Sequence, residues 1–233
     1  MVNFGEIPKE TVMSNLFPKL QPIKNIVDDI LQELGSVTIY MSYFDAEREH
    51  ENGCIYLYKD DVLGSVFGPI QQSIYESTLM GLARLCDNAN VCGHDTLGFN
   101  QLMQSCKNHI DELQQSADRF NGFGDISVKL NEFQMRFNNL STVIDSIKVQ
   151  RNKLYAHNEM NVSLDLINQN NGLSLQNLKD VYNLIFDFVN YINGCMINTW
   201  IPKIEHPDVF GYMFDKLPEA MQLLFEKYNI ERK

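Results

Sequence analysis

ISVKLNEFQMRFNNLSTVIDSIKVQRNKLYAH, residues 126–157, is the stretch that sets the architecture. Ile126, Leu130, Phe133, Phe137, Leu140, Ile144 and Ile147 alternate spacings of four and three, which is one face of an α-helix. The same register then reaches Arg151, Leu154 and Asn158. An apolar seam therefore runs into a guanidinium, which is permanently charged. Burying that charge without an anion or acceptor is costly. On one reading Arg151 lies near a helix end, its stem packed and its head in solvent or on a carboxylate. On the other it belongs to a site. His157 follows six residues later, a rise of about 9 Å and a turn of about 240° on a helix. The two side chains are not in line, yet both border the position of Leu154. With Lys148 and Lys153 they make a local cationic patch on an otherwise acidic chain.

Outward from this stretch the same period recurs. Ile23, Val27, Ile30, Leu34, Val37, Met41 and Phe44 mark a first helix, opened by Pro22 near its first turn. A second covers about residues 63 to 87, with the stripe Ile70, Ile74, Ser77, Gly81 and the stripe Tyr75, Leu79, Leu82, Cys86. Two faces of this kind suit a central helix, and the small residues admit a close neighbour. A third, capped by Asp95 or Thr96, carries Phe99, Met103, Cys106, Ile110, Leu113, Ala117 and Phe120. The helix of the opening stretch is the fourth. A fifth follows Ser174 as N-cap, with Leu175, Leu178, Tyr182, Ile185, Val189, Ile192 and Met196, after the loop NQNNG at 168–172. Residues 45–62 read as a loop, a short strand pair or a broken helix. Prolines 202, 207 and 218 interrupt the tail, which closes on a short helix at about 217–228. The expectation is an all-α antiparallel bundle of four to five main helices over residues 1–200, with residues 201–233 as a C-terminal extension packed on it.

The 233 residues suffice for one buried core, and 44% hydrophobic with 21% charged residues is an ordinary globular balance. A net charge of −11 gives no global field for nucleic acid, so any RNA or DNA contact must be local. No basic patch followed by an apolar run opens the chain, so no secretory signal is expected. No apolar stretch approaches the roughly 18 residues of a membrane span, so no membrane contact is expected. The cysteines, 54, 86, 92, 106 and 195, are odd in number and form no C-x-x-C pair, which points to free thiols in a reducing cytoplasm.

Rival sites are weaker. Cys86, Cys92, His94, Cys106 and His109 are ligand types for zinc, but their spacing matches no recognised finger, and Cys106 already serves an apolar stripe. No metal and no cofactor is expected. His50 lies in a charged run and reads as solvated. The carboxylate pairs Asp28–Asp29 and Asp60–Asp61 read as solvent-facing or capping. No G-x-S-x-G, Walker-type loop, H-E-x-x-H or dinucleotide fingerprint occurs. Trp200 with Phe210, Tyr212 and Phe214 reads as packing over the end of the bundle, or as a protein-interaction surface.

A helix ending in R-N-K-L-Y-A-H resembles the HEPN superfamily, and most closely its abortive-infection, AbiU-like branch. The motif there is an Arg, four to six residues and a His, often with a polar residue after the Arg. Here five residues separate Arg151 from His157, and Asn152 is the polar neighbour. YESTLMGLARLCD (75–87), the break before DTLGF, and the polar loop before SLQNLKDVYNLIFDFVNYIN are also similar to that branch. The resemblance covers roughly residues 20 to 197. It implies a metal-independent endoribonuclease of phage defence or toxin-like role, its composite site formed where the Arg and His pairs of two protomers meet. Arg151 and His157 would be catalytic, Asn152 supporting, and Lys148, Lys153 and Tyr155 would line the cleft. RNA would be the substrate, a second copy the partner, and an antitoxin or other regulatory protein a further one. Some members bind nucleotides or act as scaffolds, so a catalytically silent dimeric module binding a nucleotide, RNA or protein is the alternative. Where some HEPN toxins carry a modifiable tyrosine two residues after the histidine, this chain has Glu159.

Overall fold

Periodicity becomes burial on the first helix. The structure is a computed structural model that describes residues 9–49, 61–91, 93–120, 122–152 and 172–201. Helix α1 spans Lys9–Glu49 and buries Ile23, Val27, Ile30, Leu34 and Val37 of the stripe read from the sequence, with Leu20 one turn ahead of them; the side chains of Met41 and Phe44 lie outside the described ones. It does not open at Pro22. Pro18 and Pro22 both stand inside it, with their side chains on its exposed face. A proline in a helix loses one backbone bond, and the helix runs through both.

Helix α2, Asp61–Leu85, buries Leu79, Leu82, Ala83 and Leu85, with Cys86 just beyond it. Gly81 meets α1 closely, as its small size allows: a Cβ there would stand 2.7 Å from Val37 Cγ2. The residues expected to cap the third helix close a hairpin instead. Strands β1 (Asn90–Val91) and β2 (His94–Asp95) pair antiparallel, Asn90 opposite Asp95. The amide N–H of Thr96 donates to the Ala89 carbonyl over 3.1 Å, and its hydroxyl donates to the Asn88 carbonyl. Gly98 is the N-cap, without a side-chain bond.

The expected third helix is two: α3, Phe99–Asn108, and α4, Ile110–Ala117. His109 breaks it at φ −124° and ψ 35°, its ring Nδ1 lying 3.0 Å from the Ser105 carbonyl. A side chain that bonds the preceding turn competes with the helix ladder. Asp111 and Glu112 then favour a fresh N-terminus through its dipole.

The opening stretch divides as well. Helix α5, Ile126–Asn139, is capped by Asp125, whose carboxylate accepts from the Val128 amide over 3.2 Å. Helix α6 is Ser141–Gln150. The break at Leu140 follows Asn138 and Asn139, weak helix formers. The seam is buried on either side of it, at Ile126, Leu130, Phe133, Ile144 and Ile147, while Phe137 and Leu140 at the break are half-buried. Helix α7, Leu175–Ile197, begins as expected. The Ser174 hydroxyl oxygen accepts from the Asn177 amide over 3.1 Å, and Asn177 Oδ1 accepts from the Ser174 amide over 3.0 Å, a reciprocal cap.

The described residues thus form an all-α helical fold of seven helices with one two-residue β ladder, more pieces than the four or five expected. They fall into two compact units: one made of the described residues within 9–32, 84–141 and 183–201, the other of those within 33–83, 142–152 and 172–182. The first unit has an aromatic core. Phe99 stacks on Phe137 at 4.2 Å, and Phe188 lies 4.8 Å from Phe99 and 5.0 Å from Phe133. The second adds polar pairs to its apolar core, Thr38 with Tyr182 at 2.6 Å between hydroxyls and Tyr75 with Gln150. Among the described residues no helix is long and apolar enough to cross a membrane.

Candidate functional site

The motif begins where α6 ends. Ile144, Ile147 and Gln150 form its buried line at spacings of three, with Ile147 and Gln150 fully inaccessible. A line with that spacing drifts round the helix by about 60° per step, because 3.6 residues complete a turn. The buried position at the seam's end therefore falls to Gln150. Arg151 stands beside it, half-buried, and Asn152 is exposed. This accounts for a cation on an apolar seam: the register that places Arg151 on the buried face holds only as far as Ile147.

Arg151 and Asn152 belong to a π-helical turn. Such wide turns are rare and concentrate at functional sites. Arg151 Nε–H donates to Asn152 Oδ1 over 3.1 Å, so the polar residue following the arginine orients its guanidinium. Lys148, half-buried in the last turn of α6, adds a second cation where the helix dipole favours it. The local arrangement can hold an anion with a planar fork of donors, a neighbouring amine and a carboxamide. His157, Lys153 and Tyr155 lie outside the described residues, as do Leu154 and Asn158.

Gln150 carries a contact that the motif does not disclose. Its side-chain oxygen accepts from the Tyr75 hydroxyl of α2 over 2.8 Å. Burial pushes the Tyr75 hydroxyl above the usual tyrosine range, so it keeps its proton and remains the donor. The spacing 144–147–150 would have signalled a buried Gln150. Nothing in the sequence alone pairs it with Tyr75, 75 positions away.

Cys86 and Cys106 are fully buried in the apolar core, and burial, with a smaller contribution from Cys195, raises the Cys106 thiol far above its usual range. The ring of His109 faces the Ser105 carbonyl, and Cys92 lies outside the described residues. Among the described residues no three metal-ligating side chains gather. Trp200 is 56% exposed, one face stacked on Phe123 at a centroid distance of 5.8 Å, while Phe210, Tyr212 and Phe214 lie outside the described residues.

No curated protein and no solved structure matches the chain. The family model of the HEPN domain described as AbiU2 matches residues 20–213, a span that takes in α2, α6 with its π turn, and α7. The chain belongs to the AbiU2 family of HEPN domains.

Proposed function

We propose that this protein is a metal-independent endoribonuclease serving phage defence or a toxin-like role, with Arg151 and His157 at a composite site between two copies of the chain. The observation that carries the reading is Arg151 itself. Within a family match over residues 20–213, a half-buried guanidinium sits at the end of an apolar seam, oriented by Asn152 beside Lys148.

The chemistry needs a base, an acid and a cation. A neutral imidazole takes the proton of the RNA 2′-hydroxyl as that oxygen attacks the adjacent phosphorus. The bond from phosphorus to the 5′-oxygen breaks, and an imidazolium gives that oxygen its proton. The products are a 2′,3′-cyclic phosphate and a free 5′-hydroxyl. An imidazole with a pKa near its ordinary value of about 6.5 serves in either role near neutrality. A bidentate guanidinium holds the phosphate and meets the charge that grows on its oxygens. Asn152 fixes the guanidinium, and Lys148, Lys153 and Tyr155 draw the RNA strand. On a chain of net charge −11 this patch must act at short range, so cleavage falls steeply as salt rises.

The test is cleavage of RNA by the purified protein in excess EDTA, beside Arg151→Ala and His157→Ala. Losses of roughly 10²-fold or more are expected for each, the scale of a removed acid–base group or charge-stabilising donor. Equal cleavage by all three proteins would assign the activity to a contaminant or another site. No cleavage by the unaltered protein would leave a silent HEPN module.

A further inference from the structure

We infer that the Tyr75–Gln150 hydrogen bond is a register clamp that sets the direction of Arg151. The inference rests on the nuclease reading only in treating Arg151 as the group to be aimed. Gln150 is the last residue of α6, and the π turn begins at the next one. A π turn accommodates one extra residue, so where it begins bears on the direction of Arg151. One residue of slippage swings a side chain about 100° round the helix axis. Two α6 positions close to the turn could resist such slippage by burial. Ile147 resists only by apolar packing, which a rotating helix can partly replace. Gln150 resists by a directional bond in a fully inaccessible place, 2.8 Å from a hydroxyl on α2. Moving it would bury a carboxamide away from that partner, and an unmet buried polar group is costly. The amide therefore locks the end of α6 against α2, and Arg151, one residue on, inherits its aim. Tyr75 and Gln150 are positioning residues in this account and touch no substrate.

Tyr75→Phe removes one oxygen and keeps the ring. Gln150→Leu removes the amide at nearly constant volume. Each is compared with the unaltered protein at a temperature well below its melting transition. Two measurements are made: the 15N–1H resonance of Arg151 Nε, assigned by its loss in Arg151→Lys, and the kcat and KM for RNA cleavage in EDTA. The expected result is a shifted or broadened Arg151 Nε signal in both variants, with other arginine signals unmoved. The accompanying kcat falls roughly tenfold or more at little-changed KM, because misaiming a positioned group costs rate more than binding. The double variant should lose less than the two single losses combined, since both variants break the same bond. An Arg151 signal and a kcat that stay in place in a folded Tyr75→Phe protein would overturn the clamp. Should the unaltered protein not cleave RNA, the nuclease reading falls by itself, and the Arg151 resonance alone decides the clamp.

Discussion

Gly98 stands between the hairpin and α3 with φ at +155°, and a Cβ placed on it would lie 2.3 Å from the Leu85 carbonyl oxygen. Backbone cannot yield as a side-chain tip can. Gly98→Ala is expected to cost about 3 kcal/mol or more, a strained backbone added to a main-chain clash. Urea unfolding measures it, and a cost below about 1 kcal/mol would contradict so close an approach. At this same scale the motif shows what a sequence can and cannot disclose. Lys148, Arg151, Lys153 and His157 read as a cationic patch from their spacing alone; of these Lys148 stands in the last turn of α6 and Arg151 just past its end, while Lys153 and His157 lie outside the described residues. That Gln150, rather than Arg151, takes the buried place was hidden, because the drift of the buried line depends on packing against α2. Tyr75 was hidden as half of a pair for the same reason: a contact across 75 positions leaves no trace in local periodicity.

Helices α1 and α2 meet through the small side of Gly81, where an added Cβ would press on Val37 Cγ2 at 2.7 Å and on Glu33 Oε1 at 3.0 Å. Alanine is ordinarily the better helix former by about 1 kcal/mol. Here the stiff, β-branched Val37 cannot step aside. Gly81→Ala is therefore expected to destabilise by about 1–2 kcal/mol despite its propensity. Val37→Ala alone should cost about 1–3 kcal/mol for the methyl groups removed. The pair together should cost less than the sum, since each relieves the other. Chemical denaturation of the four proteins reads the coupling, and strict additivity would exclude the contact. At the level of elements, helices were legible wherever their burial pattern was long. The stripe of α1 and the start of α7 agree with the reading made from residues alone. The breaks were not. His109 ends α3 through a ring contact to its own preceding turn, and Leu140 ends α5 between buried members of one apolar period. A hydrophobic period records which side is buried, and a break that keeps the side leaves the period intact. The start of α1 was misread because Pro22, a common opener, sits inside a longer helix.

At the scale of the molecule, the buried thiols tie stability to alkaline pH. Burial pushes the Cys195 thiol up to about 12, with Tyr191 and its own backbone amide opposing the shift. The Cys106 thiol and the Tyr191 hydroxyl are also raised, each first by burial and then by the nearby Cys195. An unfolded thiol ionises near about 8.5 and an unfolded tyrosine near about 10. Below about pH 8.5 both states keep these protons, and the stability is whole. Above it the unfolded chain releases protons that the folded chain retains, so stability falls as pH rises towards the folded values. Each such group contributes a slope of up to about 1.4 kcal/mol per pH unit. The urea midpoint should decline between pH 9 and pH 11, and less steeply in Cys195→Ala. A midpoint constant across that range would mean that these groups are hydrated in the native state.

The stack of Trp200 on Phe123 has one more use. It holds the chain's single indole in the first unit, beside a ring of that same unit. Emission excited at the red edge of indole absorption therefore watches one half of the helices, while far-ultraviolet ellipticity watches all of them. Following both signals through one urea titration separates the melting of the aromatic half from that of the half bearing Arg151, with no label added to the protein.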